Sequence, residues 1–282
     1  SIRCAANATT GFESTRKLEP APRAKRILVV GGGPAGMEAA RLASLRGHAV
    51  VLCEAADRLG GRSALAAKTA EPNAELLAWL VGEMARAQID VRLSTRMEVE
   101  AIVEGAFDEV VVATGADWSR PEWPGADRPE VLTVDALGDW LEGETPNSER
   151  GNPIVVVGGD RAGLALATVA RERGASVEVL EATSVFASSI GLVGRWRYVH
   201  DAREAGIVLE GDARVQFISD SGVHWVDASG ATRVSAANRV LVAAGATPDS
   251  SLVEALGARG VSAFSIGDCL EVGFVEGAME SA

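Results

Sequence analysis

The sequence predicts an α/β protein with two Rossmann-like domains, and a repeated pattern of motifs is the basis of that prediction. An apolar run, a glycine-rich turn and a helix-forming stretch follow one another at residues 27–43 and again at 154–173. After each turn comes a second strand that ends in glutamate, and later a strand that ends in small residues. Strands that pass through glycine-rich turns into helices are typical of doubly wound parallel sheets.

The first repeat begins at Arg26, after a polar, irregular stretch (residues 1–25) that we interpret as a linker. A strand at 27–30 precedes the glycine turn, and Gly47 is the expected stop signal of the helix that follows. A second strand at 49–53 ends at Glu54. The remaining elements predicted here are a helix at 74–87, strands at 90–93, 97–102 and 109–112, and, near the end of the chain, a strand at 264–266 and a helix at 273–282.

The second repeat is separated from the first by residues 119–150, whose four prolines predict a crossing segment. It starts at Pro153, and Gly174 is the expected end of its amphipathic helix. The predicted elements are a strand at 154–157, a helix at 162–173, a strand at 176–180 ending at Glu181, and strands at 207–210, 215–219, 224–227 and 239–243.

The composition argues against several functional classes. A net charge of −12 disfavours nucleic acids and anionic membranes as partners. The three cysteines, Cys4, Cys53 and Cys269, form no C-x-x-C pair, which argues against a dithiol–disulfide flavoenzyme. No apolar run approaches the roughly 18 residues of a membrane span, and we expect a cytoplasmic protein. Because the chain starts at Ser1 and stops inside a predicted helix, we expect it to be part of a longer polypeptide.

The first glycine turn, with Pro34 and Ala35 at its centre, has the features of a dinucleotide site. Gly31 permits the tight bend, Gly33 lets the backbone approach a pyrophosphate, and Gly36 allows close packing of helix and strand. The helix N-terminus offers N–H groups and a positive dipole end to phosphates. Further along, Glu54 suits a ribose diol and would repel a 2′-phosphate.

Other candidate cofactor-binding residues follow later strands of the same repeat. Asp268, after Gly267, is expected to bond a flavin ribityl hydroxyl while the helix start that follows faces the pyrophosphate. The remaining candidates are Gly61, Arg62, Ala113, Thr114 and Gly115.

The second glycine turn keeps Gly158 and Gly163 but has Asp160 where the middle glycine would stand. A carboxylate adds bulk and like charge, and two unit charges 4 Å apart repel by about 1 kcal/mol in water and about 4 kcal/mol at an effective dielectric constant of 20. Two interpretations therefore remain open. The second domain binds NAD(H), or it serves structure and docking without binding a nucleotide. If the turn binds, Glu181 favours NADH over NADPH.

The order of these motifs resembles the flavoproteins of the glutathione-reductase type, which have two three-layer domains with the second inserted into the first. The resemblance implies an FAD- or ADP-binding domain at 26–118 and 246–282, and an NAD(P)-binding-like domain at 151–245. The first residues also resemble a C-x-x-N-P-x-x-G-x-E segment, here Cys4, Asn7, Gly11 and Glu13, with Ala8 in place of the proline. That segment is typical of the trimethylamine dehydrogenase and 2,4-dienoyl-CoA reductase family, whose C-terminal domains this chain resembles.

This resemblance implies a larger iron–sulfur flavoenzyme related to old yellow enzyme. Cys4 would be one of four ligands of a 4Fe–4S cluster, and FMN would lie in a TIM barrel, carried by a segment or subunit outside this chain. An electron-transferring flavoprotein is a candidate acceptor, an oligomer is expected, and no catalytic residue is predicted in this chain.

The family has two branches, and the sequence favours one slightly. Asp160, Trp118 and residues 184–203 resemble the amine dehydrogenase branch, in which the second nucleotide site is degraded. The retained glycines of the second turn resemble the NAD(P)H-dependent enoate or 2,4-dienoyl-CoA reductase branch. A non-redox docking module that binds ADP is the remaining alternative.

Overall fold

A computed structural model describes residues 4, 6–118, 120–143 and 148–282 of the chain. The chain forms two compact units, a first unit made of Ser1–Asp117 with Ala246–Ala282 and a second unit made of Trp118–Gly245. Residues 1–3, 5, 119 and 144–147, which belong to the predicted linker and crossing segment, lie outside the described part. In the described ranges, every helix is too short or too polar to cross a membrane.

Fifteen strands and nine α-helices alternate along the described chain, together with one 3₁₀ turn. In chain order they are β1 (Arg26–Val30), α1 (Pro34–Leu45), β2 (Ala49–Cys53), α2 (Ser63–Ala66), α3 (Glu71–Arg86), β3 (Asp90–Arg92), α4 (Val99–Glu104), β4 (Glu109–Val112), β5 (Ala116–Asp117), β6 (Val131–Leu132), α5 (Val134–Glu142), β7 (Pro153–Val157), α6 (Arg161–Glu172), β8 (Ser176–Leu180), α7 (Leu192–Glu204), β9 (Val208–Glu210), β10 (Arg214–Ser219), β11 (Gly222–Val226), β12 (Thr232–Ser235), β13 (Arg239–Val242), β14 (Thr247–Pro248), α8 (Ser251–Ala258), β15 (Ala263–Ser265), the 3₁₀ turn (Gly267–Cys269) and α9 (Phe274–Ser281).

The first unit is built on a parallel sheet with the strand order β15-β4-β1-β2-β3. Successive side chains of a strand point to opposite faces. On β1, Ile27 and Val29 pack with α1, α3 and α9, whereas Leu28 and Val30 pack with α4 and α8. Helices therefore cover both faces of the sheet, which explains why the central strands β1, β2 and β4 are apolar after their first residue. The short strands β5 and β14 form a separate antiparallel pair in this unit.

The second unit repeats the parallel sheet, in the order β6-β13-β7-β8-β9. Val155 and Val157 of β7 pack against an antiparallel sheet of β10, β11 and β12 through Ile218 and Trp225. Helix α6 packs on β7 and β8. The predicted fold class, two three-layer α/β domains of the glutathione-reductase type, is confirmed, and the first unit resumes after the second.

The prediction of a strand at residues 97–102 is wrong, because helix α4 starts at Val99. Val99, Ile102 and Val103 recur at helical spacing, and Ile102 is buried in the core that α4 shares with α8. Their β-branched side chains favour a strand, but burial of one helix face decides the outcome. The crossing segment also contains regular structure, since β6 pairs with β13 at the edge of the second sheet.

Candidate functional site

The first glycine turn joins the end of β1 to the start of α1 and leaves no room for side chains at two positions. Gly31 has a φ of +109°, and a Cβ placed there would lie 2.3 Å from the carbonyl oxygen of Ala113. A Cβ on Gly36 would lie 1.9 Å from the carbonyl oxygen of Gly31. These two glycines therefore allow β1, β4 and α1 to approach one another closely.

Gly33 has a different environment. A Cβ placed on it would have no heavy atom of the described residues within 4 Å. Gly33 is the N-cap of α1 and Pro34 occupies the first turn, where a missing N–H costs nothing. Within the described part of the chain, no side chain caps this helix, and its first turn has no acidic residue. The helix start, whose first N–H groups have no partner within the helix, thus lies at an open side of the turn, a geometry that suits an anion.

Glu54 is fixed beside this turn by two backbone N–H groups. Its Oε2 accepts a hydrogen bond from the N–H of Gly32 at 2.6 Å, and its Oε1 accepts one from the N–H of Ala56 at 2.8 Å. The carboxylate is partly exposed, and each of its oxygens retains further lone pairs. It can therefore accept hydrogen bonds from a neighbouring diol.

The loop after β2 returns to the first turn. The N–H of Gly60 donates to the carbonyl oxygen of Gly32 at 2.8 Å, and a Cβ on Gly61 would lie 3.3 Å from the Cα of Gly33. Arg62 follows as the N-cap of α2. The predicted residues Gly61 and Arg62 are therefore brought next to the open side of the turn.

The ends of β4 and β15 complete this edge of the sheet. Ala113 and Thr114 lie against Gly31. Gly115 has a φ of +83°, and a Cβ placed on it would meet no described heavy atom within 4 Å. Gly267, with a φ of +66°, lies against Ala35, since a Cβ there would be 2.7 Å from the Cβ of Ala35. All predicted residues of the first unit apart from Cys4 therefore collect at the carboxyl ends of β1, β2, β4 and β15, where ligands bind in open α/β sheets.

Asp268 and Ser281 make the hydrogen bonds at the last part of this edge, and Ser281 was not predicted from the sequence. Asp268 Oδ1 accepts a hydrogen bond from the N–H of Gly273 at the start of α9. Ser281, near the end of α9, accepts the N–H of Gly267 at 2.8 Å. A hydroxyl at a distant position in a helix carries no local sequence signal, and its role becomes visible only when α9 folds back.

Two titratable groups near the turn are structural. Burial raises the pKa of the Cys53 thiol, which keeps it protonated at the end of β2. Glu38, on α1, holds Arg41 through two hydrogen bonds of 2.7 Å, and the hydrogen bond to Glu38 raises the pKa of Arg41. Glu38 was not predicted as a site residue, and its buried carboxylate is paired with Arg41.

The second glycine turn has the same two positions at which the backbone leaves no room for a side chain. Gly158 has a φ of +107°, and a Cβ on Gly163 would lie 1.8 Å from the carbonyl oxygen of Gly158. Glu181 Oε2 accepts the N–H of Gly159 at 2.7 Å, as Glu54 does for Gly32. The three predicted residues Gly158, Gly163 and Glu181 are thus brought together at the carboxyl ends of β7 and β8.

Asp160 makes the second turn differ from the first. Its Oδ1 accepts the N–H of Arg161, the first residue of α6, at 2.8 Å and the hydroxyl of Ser189 at 2.6 Å. The hydroxyl of Ser188 lies 3.4 Å from Oδ2. These serines were not predicted as site residues, although they follow Glu181 at the same separations at which Gly61 and Arg62 follow Glu54.

Cys4 is exposed and lies in a run of tight turns. Its carbonyl oxygen accepts the N–H of Asn7, and Glu13 accepts the N–H of Gly11, a bond that lowers the pKa of Glu13. The described residues contain no group of three or more side chains placed to hold a metal ion. Among the described cysteines, Cys4 is exposed whereas Cys53 and Cys269 are buried, and a 4Fe–4S cluster requires four ligands.

Comparisons with known proteins agree with this architecture. The sequence is 32% identical over 286 residues to an NADH oxidase of Thermoanaerobacter brockii, covering 99% of this chain and 43% of that protein. It is 32% identical to the N,N-dimethylglycine/sarcosine dehydrogenase of Chromohalobacter salexigens, covering 90% of this chain and 39% of the relative. The structure matches a 2-naphthoyl-CoA reductase with a TM-score of 0.86 and 30% identity, over 99% of this chain and 42% of the other.

The chain thus spans less than half the length of these relatives. They confirm the resemblance to the C-terminal domains of the trimethylamine dehydrogenase and 2,4-dienoyl-CoA reductase family. Residues 5–101 and 83–263 match the family described as pyridine nucleotide-disulphide oxidoreductase. The chain belongs to the pyridine nucleotide-disulphide oxidoreductase family.

Proposed function

We propose that the first unit binds FAD, or ADP in its place, at the turn Gly31–Gly36. The observation that carries the proposal is the open side at Gly33, in a turn whose other glycines are closed by packing. The uncapped start of α1 and the pre-oriented carboxylate of Glu54 support it. A pyrophosphate needs the first two features, and an adenosine ribose needs the third.

The residues of this edge would bind and orient the dinucleotide. The backbone of Gly33–Ala35, with Gly61 and Arg62 beside it, would hold the pyrophosphate, and Glu54 would accept the ribose hydroxyls. Asp268 would take a ribityl hydroxyl while the N-terminus of α9 contributes a positive dipole end. When bound, FAD supplies an acceptor of one or two electrons, and this chain supplies its position and its electrostatic surroundings.

We infer that the chain is the electron-transfer portion of a larger iron–sulfur flavoprotein oxidoreductase. Its relatives are reductases, oxidases and dehydrogenases more than twice as long as the matched region. In this proposal Cys4 joins a 4Fe–4S cluster whose other ligands, like an FMN-bearing barrel, lie outside the chain. The protein would act in the cytoplasm as an oligomer, and electrons would pass between the dinucleotide site and the barrel.

The amine dehydrogenase or demethylase type is slightly favoured for the whole enzyme. Asp160 closes part of the second turn, and one relative is a dehydrogenase of methylated amines by its name. An electron-transferring flavoprotein would then be the acceptor. The alternative, an NAD(P)H-dependent reductase of activated C=C bonds, is supported by the retained geometry of Gly158, Gly163 and Glu181.

The visible spectrum of the purified protein and the nucleotide released on denaturation test the first part of the proposal. Bound FAD gives a flavin absorption band, and FAD is recovered in the supernatant. ADP without flavin would instead support the non-redox docking module, whereas recovery of neither would refute nucleotide binding by the first unit. Iron content of the full-length protein tests the second part, because Cys4→Ser should lower it if Cys4 is a cluster ligand.

A further inference from the structure

We propose that the second unit excludes dinucleotides because its own side chains fill the place of a pyrophosphate, so that neither NADH nor NADPH delivers electrons to this chain. The side chains are Asp160, Ser188 and Ser189, called here the Asp160 cluster. The proposal rests on the proposed function in one respect, since the first turn serves as the example of an open nucleotide site. The contacts that carry it lie within the second unit.

The two turns share their framework contact by contact. The glutamate at the end of the second strand accepts the N–H of the second glycine at 2.6 Å in the first unit and 2.7 Å in the second. The loop that follows donates an N–H to the carbonyl oxygen of that glycine, from Gly60 in one unit and Ala187 in the other, at 2.8 Å in both. The glycine turn and the two contacts that anchor it are therefore shared. The loops differ in backbone conformation, because Gly60 and Gly61 both have positive φ values, +122° and +50°, whereas in the second unit Ala187 has a φ of +51° and Ser188 has no positive φ. We expect a difference in binding to arise from the side chains at the turn and in this loop.

The side chains that differ between the two turns lie at the start of the helix. Asp160 stands where Gly33 stands in the first turn, and Ser188 stands where Gly61 does. At Gly33 a Cβ would meet no described atom within 4 Å, and Gly61 also lacks a side chain. In the second turn, Asp160 Oδ1 lies 2.6 Å from the hydroxyl of Ser189. A carboxylate and its hydroxyl donors thus occupy the space that the first turn leaves free.

The Asp160 cluster also caps the N-terminus of α6. Asp160 is the N-cap of α6 and accepts the N–H of Arg161 at 2.8 Å. In the first unit, none of the described side chains caps α1 in this way. A carboxylate at a helix N-terminus takes the favourable electrostatic position that a phosphate would take. Asp160 therefore acts as an internal substitute for the anion and repels a second one.

Buried side chains and hydrogen bonds hold the loop that carries Ser188 and Ser189 in place. Phe186, Ala187 and Ile190 are buried. Arg195 of α7 donates to three carbonyl oxygens of the loop, those of Ala187 at 3.3 Å and of Ser188 and Ile190 at 3.1 Å. Moving the loop away would expose apolar side chains and break these bonds, so a ligand cannot displace the cluster without cost.

Calorimetric titration of the protein with NADH, with the first unit saturated with FAD, tests the proposal. The variants are Asp160→Gly, Asp160→Asn, which keeps the bulk but removes the charge, and the double variant Asp160→Gly/Ser189→Gly. Wild type should show no saturable binding at millimolar NADH. The glycine variants should bind at least tenfold more tightly than wild type, the scale set by one removed charge pair, and Asp160→Asn should gain less.

Two results would overturn the proposal. One is saturable binding of NADH by the second unit of wild type at millimolar concentration or below, and the other is a folded double variant that binds no better than wild type. Repeating the titrations without FAD in a Gly33→Asp background, which closes the first turn, assigns any binding to the second turn, and urea unfolding curves show that each variant folds. Absence of flavin and ADP from the purified protein would refute the proposed function of the first unit, but it leaves these NADH titrations interpretable.

Discussion

Replacement of Gly33 by alanine should separate ligand binding from folding in the first unit. Gly33 has a φ of −74° and a ψ of 179°, which alanine adopts freely. The added methyl group would meet no described heavy atom within 4 Å. The folded protein without ligand should therefore keep its stability or gain about 0.4–1 kcal/mol, because alanine reduces the conformational entropy of the unfolded chain.

The same methyl group would project into the space assigned to the pyrophosphate. A methyl group forced into a well-packed contact costs about 1–3 kcal/mol, which corresponds to a loss of affinity of about 5- to 150-fold. Gly36→Ala should behave differently, because its Cβ would lie 1.9 Å from the carbonyl oxygen of Gly31 and must displace backbone. That variant should lose stability and ligand affinity together.

Calorimetric titration of nucleotide-free protein with FAD and with ADP, alongside urea unfolding, measures both quantities. Gly257→Ala is the matched control, since a Cβ at this position of α8 also meets no described atom, and it should change stability by up to about 1 kcal/mol without changing affinity. If Gly33→Ala binds both nucleotides as tightly as wild type, the open side of the turn is not where the ligand approaches.

Three further outcomes are expected. Glu54→Gln should weaken FAD or ADP binding about tenfold or more, because a charged acceptor is lost, while Glu181→Gln leaves the nucleotide content of the first unit unchanged. The pKa of Asp227 is held below its ordinary value by a serine hydroxyl and an arginine guanidinium, so the stabilisation that the carboxylate gives is present at neutral pH. This stabilisation begins to be lost as the pH falls below about 4, the pKa of an aspartate in the unfolded chain, and the urea midpoints of wild type and Asp227→Asn should approach each other progressively at lower pH. In iron-free protein, mass spectrometry should find Cys4 alkylated long before Cys53, which is buried and whose thiol pKa is raised.

The sequence predicted the central strands and both glycine turns because their signals are local. The strands that begin at Arg26 and Pro153 are apolar and buried after their first residue, and φ values of +109° and +107° at Gly31 and Gly158 favour glycine. The sequence did not predict α4, whose short β-branched run has two possible periods, nor β12, whose partner on the sheet is chosen by tertiary packing. Local patterns specify these elements weakly, and burial decides them.

In the candidate site, too, residues with a local sequence signal could be predicted, whereas side chains brought together by tertiary packing could not. Sequence spacing identified Glu54 and Glu181, since the strand end fixes where each acid lies. It identified Asp160 as an obstacle but not the hydroxyls of Ser188 and Ser189 that hold it, because the conformation of their loop depends on the buried Phe186. The duplicated framework thus accounts for the fold of both units. In our proposal, the residues at three positions set the difference in ligand binding. They are Gly33, Gly61 and Arg62 in the first unit, where the helix start is open to a ligand, and Asp160, Ser188 and Ser189 in the second, where side chains of the protein itself take that place.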